Sequence, residues 1–177
     1  MKPIFLIGFP AVGKTTIGKK VAELLNLRFI DTDGYLQFKY HNTISDMIST
    51  CGIDKFRKRE KVILLELALV QDAVIATGGG LACHDDNMQT MKARGTVVYL
   101  RASEEALTER LYQYRDERPA VEGLDKEGVR QYVQETLQQR LPYYEQADIT
   151  VDAETVTTDA DIERVAAEIA RLIPREA

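Results

Sequence analysis

A chain of 177 residues that is 45% apolar and 29% charged has the length and composition of one soluble domain with a full core. Its net charge of −5 argues against a nucleic-acid surface, no stretch approaches the roughly 20 consecutive apolar residues of a membrane helix, and the N-terminus carries no signal-peptide pattern. The expectation is a cytoplasmic monomer without nucleic-acid or membrane partners, in which an anionic ligand is met by a focused pocket of positive charge; Cys51 and Cys83 match no metal spacing and read as reduced thiols.

The first element is a strand over Ile4 to Ile7, a short run of consecutive apolar residues. It leads into "GFPAVGKTT", Gly8 to Thr16, which satisfies G-x-x-x-x-G-K-[ST] where that pattern has meaning, after a strand and before a helix. The glycines let the backbone curl so that N–H groups converge on a phosphate, and the helix N-terminus adds positive charge. Lys14 then reaches the β- and γ-phosphates, and the Thr15 hydroxyl can ligate Mg²⁺. Ala11, Val12, Gly13, Lys14, Thr15 and Thr16 are therefore the expected nucleotide-binding residues. A helix follows over Lys14 to Leu25, with Ile17, Val21, Leu24 and Leu25 as its apolar positions.

The next strand, Phe29 to Ile30, ends in "FIDTDG". Ligands of an open parallel sheet gather at the carboxyl ends of its strands, so Asp31 and Asp33 are expected to face the phosphates. One carboxylate can hold hydrated Mg²⁺ while the other meets an acceptor hydroxyl and takes its proton. The plain alternative is that one of them caps the following helix. Asp31-Thr32-Asp33-Gly34 also fits the D-x-x-G of GTPases, but no guanine-binding N/T-K-x-D pattern follows.

A long helix over Asp54 to Val70 carries Phe56, Val62, Ile63, Leu65, Leu67 and Leu69 and opens on "FRKRE". By themselves Arg57 and Glu60 are an ordinary i,i+3 pair on a solvated face. Beside a phosphate cradle, Arg57 offers the planar fork that a carboxylate ligand takes. The strand Ala73 to Ala76 runs into Gly78-Gly79-Gly80, where a water-activating ATPase places an acidic residue. Three glycines offer either backbone close to a small ligand or a flexible turn.

Further strands are expected over Thr96 to Leu100 and Ile149 to Val151, and further helices over Glu104 to Tyr114 and Asp159 to Ile173. Between them "YRDERPAVEGLDKEG", Tyr114 to Gly128, reads as a mobile flap or a surface loop. Arg140 in "QQRLPYY" supplies a second grip from the far side of a cleft. Short apolar strands alternating with amphipathic helices imply βαβ units, hence a three-layer α/β sandwich around a parallel sheet.

Taken together, these residues resemble the shikimate kinase family from Lys2 to Val151. The resemblance rests on the phosphate loop Gly8 to Thr16, Asp31 and Asp33, Phe56-Arg57 with Glu60, the glycine triplet, Arg118-Pro119, and Arg140 followed by a Pro and a Tyr pair. It implies an α/β/α P-loop kinase fold like that of nucleoside monophosphate kinases, with a five-stranded parallel sheet. One domain over residues 1–177 would carry a substrate-binding helical region at about 33–60 and a lid at about 112–125. The implied reaction is transfer of a phosphoryl group from ATP, with Mg²⁺, to the shikimate 3-hydroxyl; another small-molecule P-loop kinase, such as a gluconate kinase, is the alternative.

By the same resemblance Asp33, Lys14 and Arg118 are catalytic, and Asp33 holds the substrate's hydroxyls. Arg57 and Arg140 bind its carboxylate, and Gly79 offers backbone contact. Lys14 and Arg118 contact the phosphates, Thr15 ligates Mg²⁺, Asp31 supports its waters, and Glu60 orients Arg57. The chain departs from the family's common pattern in Ala120-Val121 after Arg118-Pro119, in the bulkier Pro10-Ala11-Val12 of the phosphate loop, and in the late loop Asp152 to Thr158, which has no Arg or Pro.

Overall fold

The computed structural model describes residues 1–174, so the last three residues of the expected domain lie outside it. Five strands, β1 (Ile4–Ile7), β2 (Arg28–Asp31), β3 (Ala73–Ala76), β4 (Thr96–Arg101) and β5 (Ile149–Asp152), form one sheet in the order β2-β3-β1-β4-β5. All four pairings are parallel, with Ile4 opposite both Val74 and Thr96 and with Asp31 opposite Ala76. Every residue of β1 and β3 is buried, which explains why these strands read as unbroken apolar runs without alternation. The chain moves to one side of β1 for β2 and β3 and to the other for β4 and β5, so the order switches at β1. The crevice beyond its carboxyl end is where an open α/β sheet binds ligands.

Helix α1 (Lys14–Leu25) leaves that crevice and packs along α8 (Asp159–Leu172) and β3. Gly18 permits the approach: a Cβ there would lie 2.7 Å from the Phe29 ring and 3.0 Å from Leu6. The helix stops at Asn26, which adopts the left-handed conformation with φ 53°. Both α6 (Glu104–Gln113) and α8 begin on hydroxyl caps, Ser103 and Thr158, the latter in a reciprocal capping box with Asp161.

Residues between β2 and β3 fold into α2 (Thr32–Tyr40), α3 (Ile44–Cys51) and α4 (Ile53–Leu67), with a small core of their own made by Leu36, Met47, Phe56 and Ile63. The sequence pattern located α4 to within a few residues but misplaced part of its face. Val62, Leu65 and Leu69 are exposed, and the buried stripe is Phe56, Glu60, Ile63, Leu64 and Leu67. Leu24 of α1 is exposed as well. The stretch expected as a flap contains a 3-10 turn at Arg115–Glu117, and its end already belongs to α7 (Lys126–Tyr144), capped by the Asp125 side chain on Gly128 N. Val121 within it is buried in the main core. Helix α5 (Asn87–Arg94) follows a 3-10 turn over Leu81–Cys83 and ends at Gly95.

Candidate active site

The loop between β1 and α1 turns at two glycines, Gly8 with φ 145° and Gly13 with φ 103°. At Gly8 a side chain is also sterically excluded, because a Cβ would meet the Leu100 carbonyl at 2.7 Å. Ala11 takes a left-handed φ of 65°, a conformation that costs a non-glycine residue energy and that clusters at ligand-binding loops. The first N–H groups of a helix have no intrahelical acceptors, and Gly13 brings no capping side chain to α1, so the helix start is left for an anion. Lys14 is 9% exposed, and its ammonium folds back to donate to the carbonyls of Gly8 at 2.8 Å and Phe9 at 2.9 Å. Burial lowers its pKa to about 8. Asp33 opposes that shift, while Arg118 and Arg140 add to it.

Of the two alternatives for the aspartates, the helix cap is made by Asp31, the last residue of β2, whose two oxygens take different partners. Its Oδ2 accepts from the Thr15 hydroxyl at 2.8 Å, and its Oδ1 caps α2 by accepting from the N–H groups of Asp33 at 3.0 Å and Gly34 at 3.1 Å. Asp33 then extends from the first turn of α2 over Gly78. Burial raises its pKa and the Asp31 charge raises it further, against the pull of Lys14, Arg118 and Arg57.

Gly78, Gly79 and Gly80 form a shelf on which three long side chains rest. A Cβ on Gly78 would meet Asp33 Oδ1 at 2.7 Å; on Gly79, Pro10 Cδ at 2.8 Å and Arg140 Nη1 at 3.1 Å; on Gly80, Arg57 Nη2 at 3.1 Å. The carboxylate and two guanidinium groups proposed from sequence therefore converge here, and glycine leaves at each position the space that a Cβ would take from them. The Thr32 hydroxyl accepts from Gly78 N at 2.9 Å and fixes the near end of the shelf. Arg57 pairs with the buried Glu60, whose pKa burial raises and Arg57 pulls down. Arg57 Nε and Arg140 Nη1 are buried donors without acceptors among the described residues. Unsatisfied buried donors of this kind are rare and costly unless a ligand completes them.

A cleft of about 930 Å³ joins the phosphate loop, Asp31, Asp33 and the glycine shelf to Arg118 and Arg140. Arg57 is not among its lining residues; its guanidinium lies against Gly80 at the end of the shelf, and its field reaches Asp33. Arg118 is exposed on the rim. At the other end the cleft is bordered by Ala106, Arg110, Val156 and Ile162. Arg110 escaped the sequence reading, which used α6 only for its apolar face. Its Nη2 donates to the carbonyls of Ala153 at 2.9 Å and Glu154 at 2.6 Å, holding the late loop, and its Nη1 is buried with no acceptor among the described residues.

A phosphate cradle at the switch point of a β2-β3-β1-β4-β5 sheet, facing a separate shelf with one acid and two guanidinium groups, defines a P-loop kinase. A family model described as Shikimate kinase matches residues 10–173, and the chain belongs to the shikimate kinase family. It is 40% identical over 98% of its length to all of a shikimate kinase of Parabacteroides distasonis, and 42% identical over 93% of its length to 98% of one from Azobacteroides pseudotrichonymphae. Among solved structures, a shikimate kinase from Bacteroides thetaiotaomicron superposes with a TM-score of 0.93 at 33% identity, covering 97% of each chain. A shikimate kinase from Acinetobacter baumannii in complex with shikimate gives 0.85 at 35% identity, over 97% of this chain and 92% of that one.

Proposed function

We propose that this chain transfers the γ-phosphoryl group of ATP to the 3-hydroxyl of shikimate, giving shikimate 3-phosphate and ADP. The observation that carries the reading is the pair of unpartnered guanidinium donors, Arg57 Nε and Arg140 Nη1, set on the same glycine shelf as Asp33. A small acid with hydroxyl groups completes both: its carboxylate takes the two forks, and a hydroxyl meets Asp33. The hydroxyl oxygen attacks the γ-phosphorus as its bond to the bridging oxygen of ADP breaks, and the hydroxyl proton passes to the Asp33 carboxylate. Lys14 and Arg118 neutralise charge on the phosphoryl oxygens, and closure of residues 112–125 as a lid brings Arg118 inward and excludes water.

The Thr15 hydroxyl and the Asp31 carboxylate, bonded to each other beside the cradle, are the hard oxygen donors that Mg²⁺ takes, directly or through its waters, together with phosphate oxygens. The ion would supply charge neutralisation on the phosphates. Ala106, Val156 and Ile162 form an apolar border at the far end of the cleft, which suits the base of the nucleotide. Among the described residues no helix is long and apolar enough to cross a membrane; use of ATP as donor supports a cytoplasmic location.

The test is ADP release across an acceptor panel of shikimate, gluconate and nucleoside monophosphates. Shikimate is expected to give the highest kcat/KM, and faster turnover of gluconate would overturn the assignment. Arg57→Ala should raise the KM for shikimate at least 10-fold, about 1.4 kcal/mol or more, with little change for ATP. Equal losses for both ligands would remove Arg57 from the acid site.

A further inference from the structure

We propose that Tyr144 is a positioning residue for the acid-binding end of the cleft: its hydroxyl holds the Gly79 carbonyl and thereby fixes the shelf against which the Arg140 guanidinium rests. The Tyr144 hydroxyl donates to Gly79 O at 2.5 Å, and its ring is fully buried. The ring stacks on Tyr99 of β4, with centroids 5.1 Å apart and planes at 29°. Tyr99 is paired in register with Ile7, immediately before the phosphate loop, so the tyrosine stands on the sheet beside the start of that loop. Burial raises the phenol's pKa strongly, and the neighbouring Arg140 charge offsets only part of that rise, so the group remains a donor.

Three features make this bond act on Arg140 rather than only on packing. Arg140 and Tyr144 are i,i+4 neighbours on α7 and share a face. Pro142 lies between them inside the helix, where its missing N–H removes one intrahelical bond from the last turn, and the Gly79 bond ties that turn to the shelf instead. Gly79 is also the residue whose absent Cβ faces Arg140 Nη1 at 3.1 Å, so a shift of this peptide displaces the guanidinium directly. Thr32 holds the shelf at Gly78 and Tyr144 holds it at Gly79, while Arg140 keeps one donor free for the ligand.

The inference rests on shikimate being the acceptor, which wild-type turnover and the effect of Arg140→Ala test without involving Tyr144. Tyr144→Phe keeps the stacked ring and removes one hydrogen bond. It should raise the KM for shikimate about 3- to 12-fold, the equivalent of roughly 0.5–1.5 kcal/mol, while kcat falls less than 3-fold and the KM for ATP stays within 2-fold. In an Arg140→Ala background the same change should add less than 2-fold, because the group it positions is gone. Since KM does not depend on the fraction of enzyme that is folded, a less stable variant still reports. A shikimate KM within 2-fold of wild type, equal rises for shikimate and ATP, or an undiminished effect in the Arg140→Ala background would each overturn the proposal.

Discussion

Lys14 shows how a single residue can be identified from sequence while its working state is not. Its place in the phosphate-loop pattern was plain, but the structure adds that its ammonium is buried on two carbonyls with a pKa lowered to about 8. Bound phosphates favour the charged amine and raise that value again. Above pH 8, ATP binding is therefore expected to take up a proton. Calorimetry in buffers of different ionisation enthalpy should show uptake approaching one proton at about pH 9 and almost none at pH 6.5; pH-independent exchange would place the free lysine back in its ordinary range.

Asp33 shifts in the other direction, raised above the ordinary 3.8 by burial and by Asp31. A base with a raised pKa is lost as pH falls, so the acidic limb of kcat should lie at a higher pH than an exposed aspartate would give. Asp33→Asn, which holds a hydroxyl but accepts no proton, should lower kcat by about 10²–10⁴-fold with ATP affinity kept; a wild-type kcat would exclude the proton-accepting role.

Elements were legible in proportion to their apolar periodicity. The apolar positions of Lys14 to Leu25 place helix α1 at its observed bounds, where Gly13 starts it and Asn26 stops it. By contrast α2 and α3 went unlocated: each has at most nine residues and α2 buries only Thr32 and Leu36, too few positions to mark a period. Helix α2 is defined at its start by the Asp31 carboxylate on two N–H groups, an interaction that sequence offered only as an alternative to metal support. The misread face of α4 has a related cause. Glu60 occupies the buried stripe because Arg57 pairs with it, so polarity alone rotated the expected face.

The packing of α1 on the sheet depends on one such element-scale detail. Gly18→Ala places a methyl 2.7 Å from the Phe29 ring, and urea denaturation is expected to show a loss of about 1–3 kcal/mol, the cost of overpacking a filled core. An unchanged midpoint would mean that Phe29 yields freely.

At the scale of the molecule, one cleft joins the phosphate loop, the glycine shelf and the border at Ala106, Val156 and Ile162; in the proposed reading donor and acceptor enter it from opposite ends. Its rim residue Arg118 is exposed, although Val121, three residues on, is in the core. Val121 anchors the segment in the core and the Arg118 backbone is held by Arg115 O and Val121 N–H, while the Arg118 side chain is exposed; in the proposed reading that side chain carries its charge inward on lid closure. Arg118→Ala should reduce kcat about 10³-fold, as removal of a comparable arginine does in related phosphoryl transfers, with shikimate affinity unchanged by titration. A similar loss of shikimate affinity would mean that Arg118 serves the ground state and not the transfer.

The sequence by itself determined the alternation of strands and helices, the phosphate cradle with Lys14 and Thr15, and the residue types assembled around it. Each of these is encoded by near neighbours, through periodicity or through glycines at fixed spacing. Only the tertiary structure decided that Asp31 serves α2 and Thr15 at once, that Asp33, Arg140 and Arg57 rest on successive glycines, that Arg110 lines the same cleft, and that Tyr144 holds Gly79 from beneath it. Apart from the cap on α2, which is local, the hydrogen bonds that make these relations join residues from 16 to 65 positions apart. Their separation in space is set by the strand order and by how closely helices approach the sheet, which no local pattern records.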